Sequence, residues 1–196
     1  MAILNPLKPH QSLRHLSPKR SDLRLAALCM CVVASNLIVE NAFGDEPQSL
    51  AGIVAKHNTL RAGVGVGPLQ WDDALAASAQ AWANACKQAD GPTGLLDHNA
   101  NRSKGHPWYV GENVYGSTGA ATAQGAVNSW AAEAKYYTHA TNTCAAGHVC
   151  GDYTQLVWAN STHVGCGIST CPNLTYHSTI VCDYGPGGNV GGERPY

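Results

Sequence analysis

The sequence predicts an α+β domain, and three observations carry the prediction: helical periodicity fills the first two-thirds of the chain, two strand-like runs follow it, and six cysteines stand behind a secretion-type leader. Lys8, Arg14, Lys19, Arg20 and Arg24 precede the apolar run Leu25–Val39, which at about 15 residues is shorter than the ~20 that a spanning helix needs. Ala42-Phe43-Gly44 supplies small residues where a signal peptidase reads. Residues 1–44 are therefore expected to be a cleaved signal peptide and 45–196 one secreted, extracellular domain with no stable membrane anchor. That domain holds seven Lys and Arg against eleven Asp and Glu, a net charge of −4, which argues against nucleic acid and against adhesion to anionic lipid. Cys86, Cys144, Cys150, Cys166, Cys171 and Cys182 show no CxxC spacing, so they read as disulfides rather than a zinc cluster. Spacing alone favours only the short loop Cys144–Cys150.

The elements follow in order. Leu50, Ile53, Val54, His57 and Leu60 keep helical spacing up to the glycines of "RAGVGVG". Asp72 is placed to cap a second helix with Leu75, Ala79, Trp82 and Cys86 on one face, burying the tryptophan. Residues 87–119 read as an ordered loop with one short strand, and a third helix is expected over about 120–137. Asp152 is placed as the N-cap of a short fourth helix carrying Leu156 and Val157. Strands are expected over 164–170 and 178–184, and the glycine-rich tail fits no regular element, a cover for the sheet edge being its expected role.

Five stretches, "KHNTLRAGVGVGPLQWDDAL", "GENVYG", "AVNSWAAEAKYY", "CGDYTQLVWANSTHVGCG" and "VCDYGPGGNVGGERPY", occur in the order that marks the CAP superfamily. The chain resembles its cysteine-rich secretory proteins, antigen 5 venom allergens and plant pathogenesis-related proteins of family 1. The resemblance implies a three-layer α-β-α sandwich with a cleft, and the pairs Cys86–Cys171, Cys144–Cys150 and Cys166–Cys182. It also implies a cleft tetrad: His98 from "LDHN", Glu112 from "GEN", Glu133 on the third helix, and Asp152 where the family has its second histidine.

That replacement leaves one imidazole and three carboxylates. Two imidazoles with two carboxylates suit zinc, whereas an oxygen-rich set suits calcium or magnesium, so the resemblance implies altered metal binding through His98 and Asp152, with no cofactor required. Similar proteins bind sterols or other small lipids, and Trp108, Tyr109 and Tyr115 around the "GEN" motif are the expected contacts for such a ligand. A non-enzymatic binding or defence module, with a sterol, a fatty acid or an extracellular protein as partner, is the first reading. The alternative is a metal-dependent hydrolase with Glu112 or Glu133 as general base, ranked second because the family's second histidine is missing and no serine or free cysteine nucleophile replaces it. His148, four residues before Asp152, is the one candidate for restoring the imidazole. Release of the last eleven residues, Pro186–Tyr196, as a peptide is a further possibility that the resemblance implies, set against Asp183 where the usual residue is Asn.

Overall fold

The computed structural model describes residues 45–88 and 94–196, so the leader expected over 1–44 lies outside the described residues. The described elements are α1 (Ile53–Gly63), β1 (Gln70–Trp71), α2 (Asp73–Ala85), β2 (Gly111–Ser117), α3 (Ala123–Ala131), β3 (Tyr137–Thr138), β4 (Thr143–Cys144), α4 (Gly151–Leu156), β5 (His163–Thr170) and β6 (Ser178–Gly185). The main sheet has the order β1-β5-β6-β2, with β1 parallel to β5 and the other pairs antiparallel; β3 and β4 form a small hairpin.

Period-two alternation along β6 shows how the layers are built. Ile180, Cys182 and Tyr184 join a core with Leu50, Ile53, Trp130, Leu156 and Val164, the face covered by α1, α3 and α4. Val181 faces the opposite way, into a core with Ala79 and Ala83 of α2. Helices on both faces of one sheet make the three-layer α-β-α sandwich. α2 lies close against β5 because Gly165 and Gly167 offer no side chain there: a Cβ on either would collide with α2 backbone.

Cys86 is bonded to Cys171, Cys144 to Cys150, and Cys166 to Cys182. The first closes a separation of 85 residues and ties the end of α2 to the end of β5. Each such bond contributes about 2 to 4 kcal/mol in a domain of this size.

Several local expectations change. Asp72 does cap α2, its carboxylate accepting the Leu75 N–H at 2.8 Å. The buried face of α2 is Leu75, Ala79 and Ala83, however, while Trp82 stays half-buried with its indole N–H on the Asp97 carbonyl at 2.7 Å. The stretch 87–119 contains a seven-residue edge strand, β2, paired residue for residue with β6. The third helix starts at an unforeseen cap, Thr122, and ends at Ala131, where the chain tightens into a 3-10 turn over Ala132–Tyr136. β1, β3 and β4, two residues each, were below the length that periodicity can reveal.

α1 buries polar groups among these apolar ones. Arg61 is fully buried, with Nε donating to the Gly67 carbonyl (2.7 Å), Nη1 to those of Leu156 (3.0 Å) and Trp158 (2.9 Å), and Nη2 to that of Ser161 (2.8 Å). His57 donates from Nδ1 to the Ile53 carbonyl (2.8 Å) and accepts the Tyr184 hydroxyl at Nε2 (2.9 Å). Burial pushes its pKa down to about 4, so it is a neutral structural histidine. Beyond β6 the tail continues the pairing with β2 by one bond, Gly187 N–H to the Tyr109 carbonyl, and then packs along α4 and the β3–β4 hairpin rather than along the sheet edge. There Tyr196 stacks on His139, and its hydroxyl lies 3.1 Å from that of Tyr153.

Candidate functional site: a cleft with three uneven carboxyls

The loop carrying His98 is held to α2 by the Trp82–Asp97 bond and by Asp97 N–H on the Lys87 carbonyl (3.1 Å). Glu112 enters at the start of β2. Its Oε1 accepts both the His98 Nδ1–H at 2.7 Å and the Asn99 N–H at 2.9 Å. The bond to Glu112 raises the His98 pKa, since it favours the imidazolium. The pair is asymmetric: the Glu112 side chain has no exposed surface, whereas 61% of the His98 side chain is exposed.

Glu133 lies in the 3-10 turn after α3. Its Oε2 accepts the N–H groups of Asp152 (2.9 Å) and Tyr153 (3.1 Å). Glu133 is therefore the cap of α4, supplied from another element, and its negative charge meets the positive end of that helix. This corrects the role expected of Asp152. The N-cap residue of α4 is Cys150, with no side-chain cap bond of its own, and Asp152 stands inside the first turn. The Asp152 carboxyl is left over for the cleft. Burial, then the Glu133 charge, pushes its pKa up to about 7, with His98 opposing. Glu133 itself is raised by burial, against the pull of its two amide donors.

A further acid was visible in the sequence only as a departure from Asn. Asp183 faces Glu112 directly across the β2–β6 ladder and is fully buried. Its oxygens and Oε2 of Glu112 make no hydrogen bond of good geometry, although the Ser78 hydroxyl and Glu112 both stand near enough to Asp183 to act on its charge. Burial, then the Glu112 charge, pushes the Asp183 pKa up to about 8. Two buried carboxyls in cross-strand register repel when both are ionised, which, after burial itself, is why the Asp183 carboxyl is raised.

The cleft has two lobes separated by His98 and Glu112. One is a cavity of about 210 Å³ whose lining also includes Arg102, Tyr109 and Gln155. The other, of about 270 Å³, adds Glu133, Val149 and Asp152. Asn189 of the tail lines both, held by Thr154 Oγ1 (2.6 Å) and by the Gly151 carbonyl (2.9 Å). Arg102, Gln155 and Asn189 were not foreseen; each comes from a loop, a helix turn or a tail whose approach no local pattern encodes.

The structure brings His98, Glu112, Glu133 and Asp152 to one cleft but disperses the expected aromatic contacts. Tyr109 lines the smaller lobe, 55% exposed beneath the Arg102 guanidinium. Trp108 instead stacks on His163 beyond the end of the sheet, with a ring separation of 5.5 Å. Tyr115, the fifth residue of β2 and on the face opposite Glu112, packs into the α1–α3–α4 core. His148 does not restore an imidazole to the cleft: its ring stacks on Tyr136 at 3.5 Å.

The tetrad does not form a preassembled site for a divalent ion. Among the described residues no three His, Cys, Asp or Glu side chains converge into a group that could hold a metal. Oε1 of Glu112 and Oε2 of Glu133 accept two N–H groups each, which leaves the Asp152 carboxylate, Glu133 Oε1 and His98 Nε2 as the uncommitted atoms of the cleft. Asp, shorter than the histidine it replaces, leaves only His98 as a nitrogen donor.

Comparison with known proteins gives this geometry a lineage. Pathogenesis-related protein 1C of Nicotiana tabacum is 47% identical over 141 residues, which cover 71% of this chain and 76% of that protein. The solved structure of venom allergen-like protein 4 of Schistosoma mansoni matches with a TM-score of 0.61 at 27% identity, over 76% of this chain and 94% of that one. The crystal structure of NaASP2 with Zn2+ matches with a TM-score of 0.59 at 23% identity, over 78% and 90%, a likeness of fold. Residues 54–184 match the model of the cysteine-rich secretory protein family, CAP, and with the three-layer sandwich and this cleft the chain belongs to that family.

Proposed function

We propose that the chain is a secreted, defence-type CAP-domain binding protein that carries a small lipid, a sterol or a fatty acid, and is not an enzyme. The observation that carries the reading is a groove between α1 and α3, a cavity of about 240 Å³ lined by Leu60 and Val127 with Lys56, Thr59, Gln124 and Asn128 around them. An apolar floor within a polar rim is the chemistry of a site for a hydrocarbon with one polar end. Lys56, hydrogen-bonded to Gln124, supplies a cation for a fatty-acid carboxylate. The volume lies just under the range of about 300 to 1,000 Å³ typical of small-molecule sites, which favours a single acyl chain or a sterol lying partly exposed. Similarity to pathogenesis-related proteins supports the defence setting, and an extracellular protein partner is compatible with it.

The lipid site is thereby moved from the three aromatics to the helix pair. The test is native mass spectrometry and displacement of a fluorescent fatty acid on the disulfide-intact mature domain. Expected is one lipid per chain, lost when Val127→Trp fills the groove and weakened at least several-fold by Lys56→Glu for fatty acids but not sterols. Stoichiometric zinc with peptide hydrolysis and no lipid at any concentration would replace this reading with the metal-dependent hydrolase.

A further inference from the structure

The cleft has an arrangement of charge that the lipid reading does not use. His98 Nδ1 and Glu112 Oε1 meet at 2.7 Å in the partition between the two lobes, so the imidazole is turned to the carboxylate there. What remains is opposite in sign on either side: the Arg102 guanidinium in the smaller lobe, Glu133 and Asp152 in the larger. We propose that the cleft binds a small zwitterion of the amino-acid or short-peptide type, its ammonium group between Glu133 and Asp152 and its carboxylate at Arg102.

Hydrogen-bonding capacity is available at both ends. Arg102 uses three of its five N–H groups, on the Val110 carbonyl (2.8 Å), the Asn99 carbonyl (2.9 Å) and the Tyr109 hydroxyl (2.9 Å), leaving one on each terminal nitrogen. In the acidic lobe Glu133 keeps Oε1 beside the oxygen that caps α4, and the Asp152 carboxylate accepts no hydrogen bond from the described residues. Glu112 lines both lobes, its fully buried side chain held by His98 and Asn99 and facing Asp183 across the ladder.

Charge pattern selects among ligand classes. A simple cation gains from the acidic lobe and leaves the Arg102 lobe unused; a simple anion gains from Arg102 and meets two carboxylates beyond the partition. A ligand with both ends charged satisfies each lobe with its own end, which is complementarity of sign. The rim adds apolar contact on either side, Tyr109 at 55% exposure on the cationic lobe and Val149 at 76% on the acidic one. These residues are separate from the α1–α3 groove, so this site stands or falls independently of the lipid site.

The test uses the mature, disulfide-intact protein and three probes in titration calorimetry: trialanine, its C-terminal amide and its N-acetyl form. Expected is binding of trialanine, with each capped form at least tenfold weaker. Asp152→Asn should weaken trialanine severalfold and leave the N-acetyl form unchanged, because that probe has no ammonium group to lose. Arg102→Gln should do the converse with the amide; since Arg102 also braces the loop between Asn99 and Val110, Arg102→Lys, which keeps the charge, serves as its folding control. Equal affinity for all three probes, no binding of trialanine at millimolar concentration, or an Asp152→Asn variant as tight as the parent would each overturn the proposal.

Discussion

Adjacent residues of β6 enter two buried polar clusters built on opposite principles. Tyr184 points to the face covered by α1, where its hydroxyl donates to His57, and a turn along that helix Arg61 satisfies four carbonyls. Asp183 points to the other face, where it meets another carboxyl, Glu112, and has only the Ser78 hydroxyl near it as a donor. Both clusters are buried and both contain titratable groups. The first has its partners supplied by the fold, so it specifies and braces; the second has unmet capacity, so it is where a proton or a ligand changes the molecule.

The largest expected effect breaks the satisfied cluster. Arg61→Met keeps the volume of the stem and removes every bond to the carbonyls of Gly67, Leu156, Trp158 and Ser161, which should destabilise by about 3 to 5 kcal/mol in urea unfolding. A loss below about 1 kcal/mol would mean that water replaces the guanidinium there, and the contrast between the clusters would weaken.

Next comes Asp183→Asn, which should stabilise. A carboxyl whose folded pKa is raised to about 8 favours the fold below its unfolded value near 3.8, and that contribution is lost as pH rises towards 8. The amide removes the titration and offers Glu112 a donor, so the variant should gain on the order of 2 kcal/mol at pH 8 and little at pH 4. Scanning calorimetry at the two pH values decides it; an equal shift at both would mean that Asp183 is not the titrating member.

The wild-type profile sharpens the same point. Asp152, raised to about 7, has the same sign as Asp183, while His57, lowered to about 4, has the opposite sign: its contribution is present above 6.5 and lost as pH falls to 4. From these three groups, stability should fall as pH rises from about 4 to 8, most steeply between about 6.5 and 7, where His57 no longer opposes the two acids. Asp152→Asn should flatten that segment by about 0.5 kcal/mol, read from melting temperature against pH. A profile that rises through this window would remove the unsatisfied cluster as the source of pH dependence.

The smallest effect tests the borrowed cap. Glu133→Ala should cost about 1 kcal/mol and show earliest as faster amide exchange at Asp152 and Tyr153. Unchanged exchange there would mean that the Cys144–Cys150 bond alone fixes α4.

Much of the fold was legible because it rests on short-range rules. Helical spacing exposed α1 and α2, the Asp72 cap marked where α2 begins, and strand-like runs on either side of Pro172-Asn173 marked β5 and β6. The end of α3 was not legible, since alanine, lysine and tyrosine at 132–136 have no strong breaker and the 3-10 turn is set by what Glu133 reaches. The cleft was half legible: its four acid and imidazole members came from motifs read by resemblance, whereas Arg102 and Asn189 carried no signal.

By itself the sequence determined the α+β order of elements, the six cysteines available for disulfides and the identity of the residue at 152, because each is a property of local pattern or composition. Tertiary structure alone decided what those residues do. Asp152 and Glu133 are both carboxylates next to a helix, either able to cap it, and the choice went to Glu133 because the turn after α3 brings its oxygen within 2.9 Å of the Asp152 N–H. A hydrogen bond is made by whichever group arrives at the right distance, and distance between residues far apart in sequence is what the fold, not the chain, supplies.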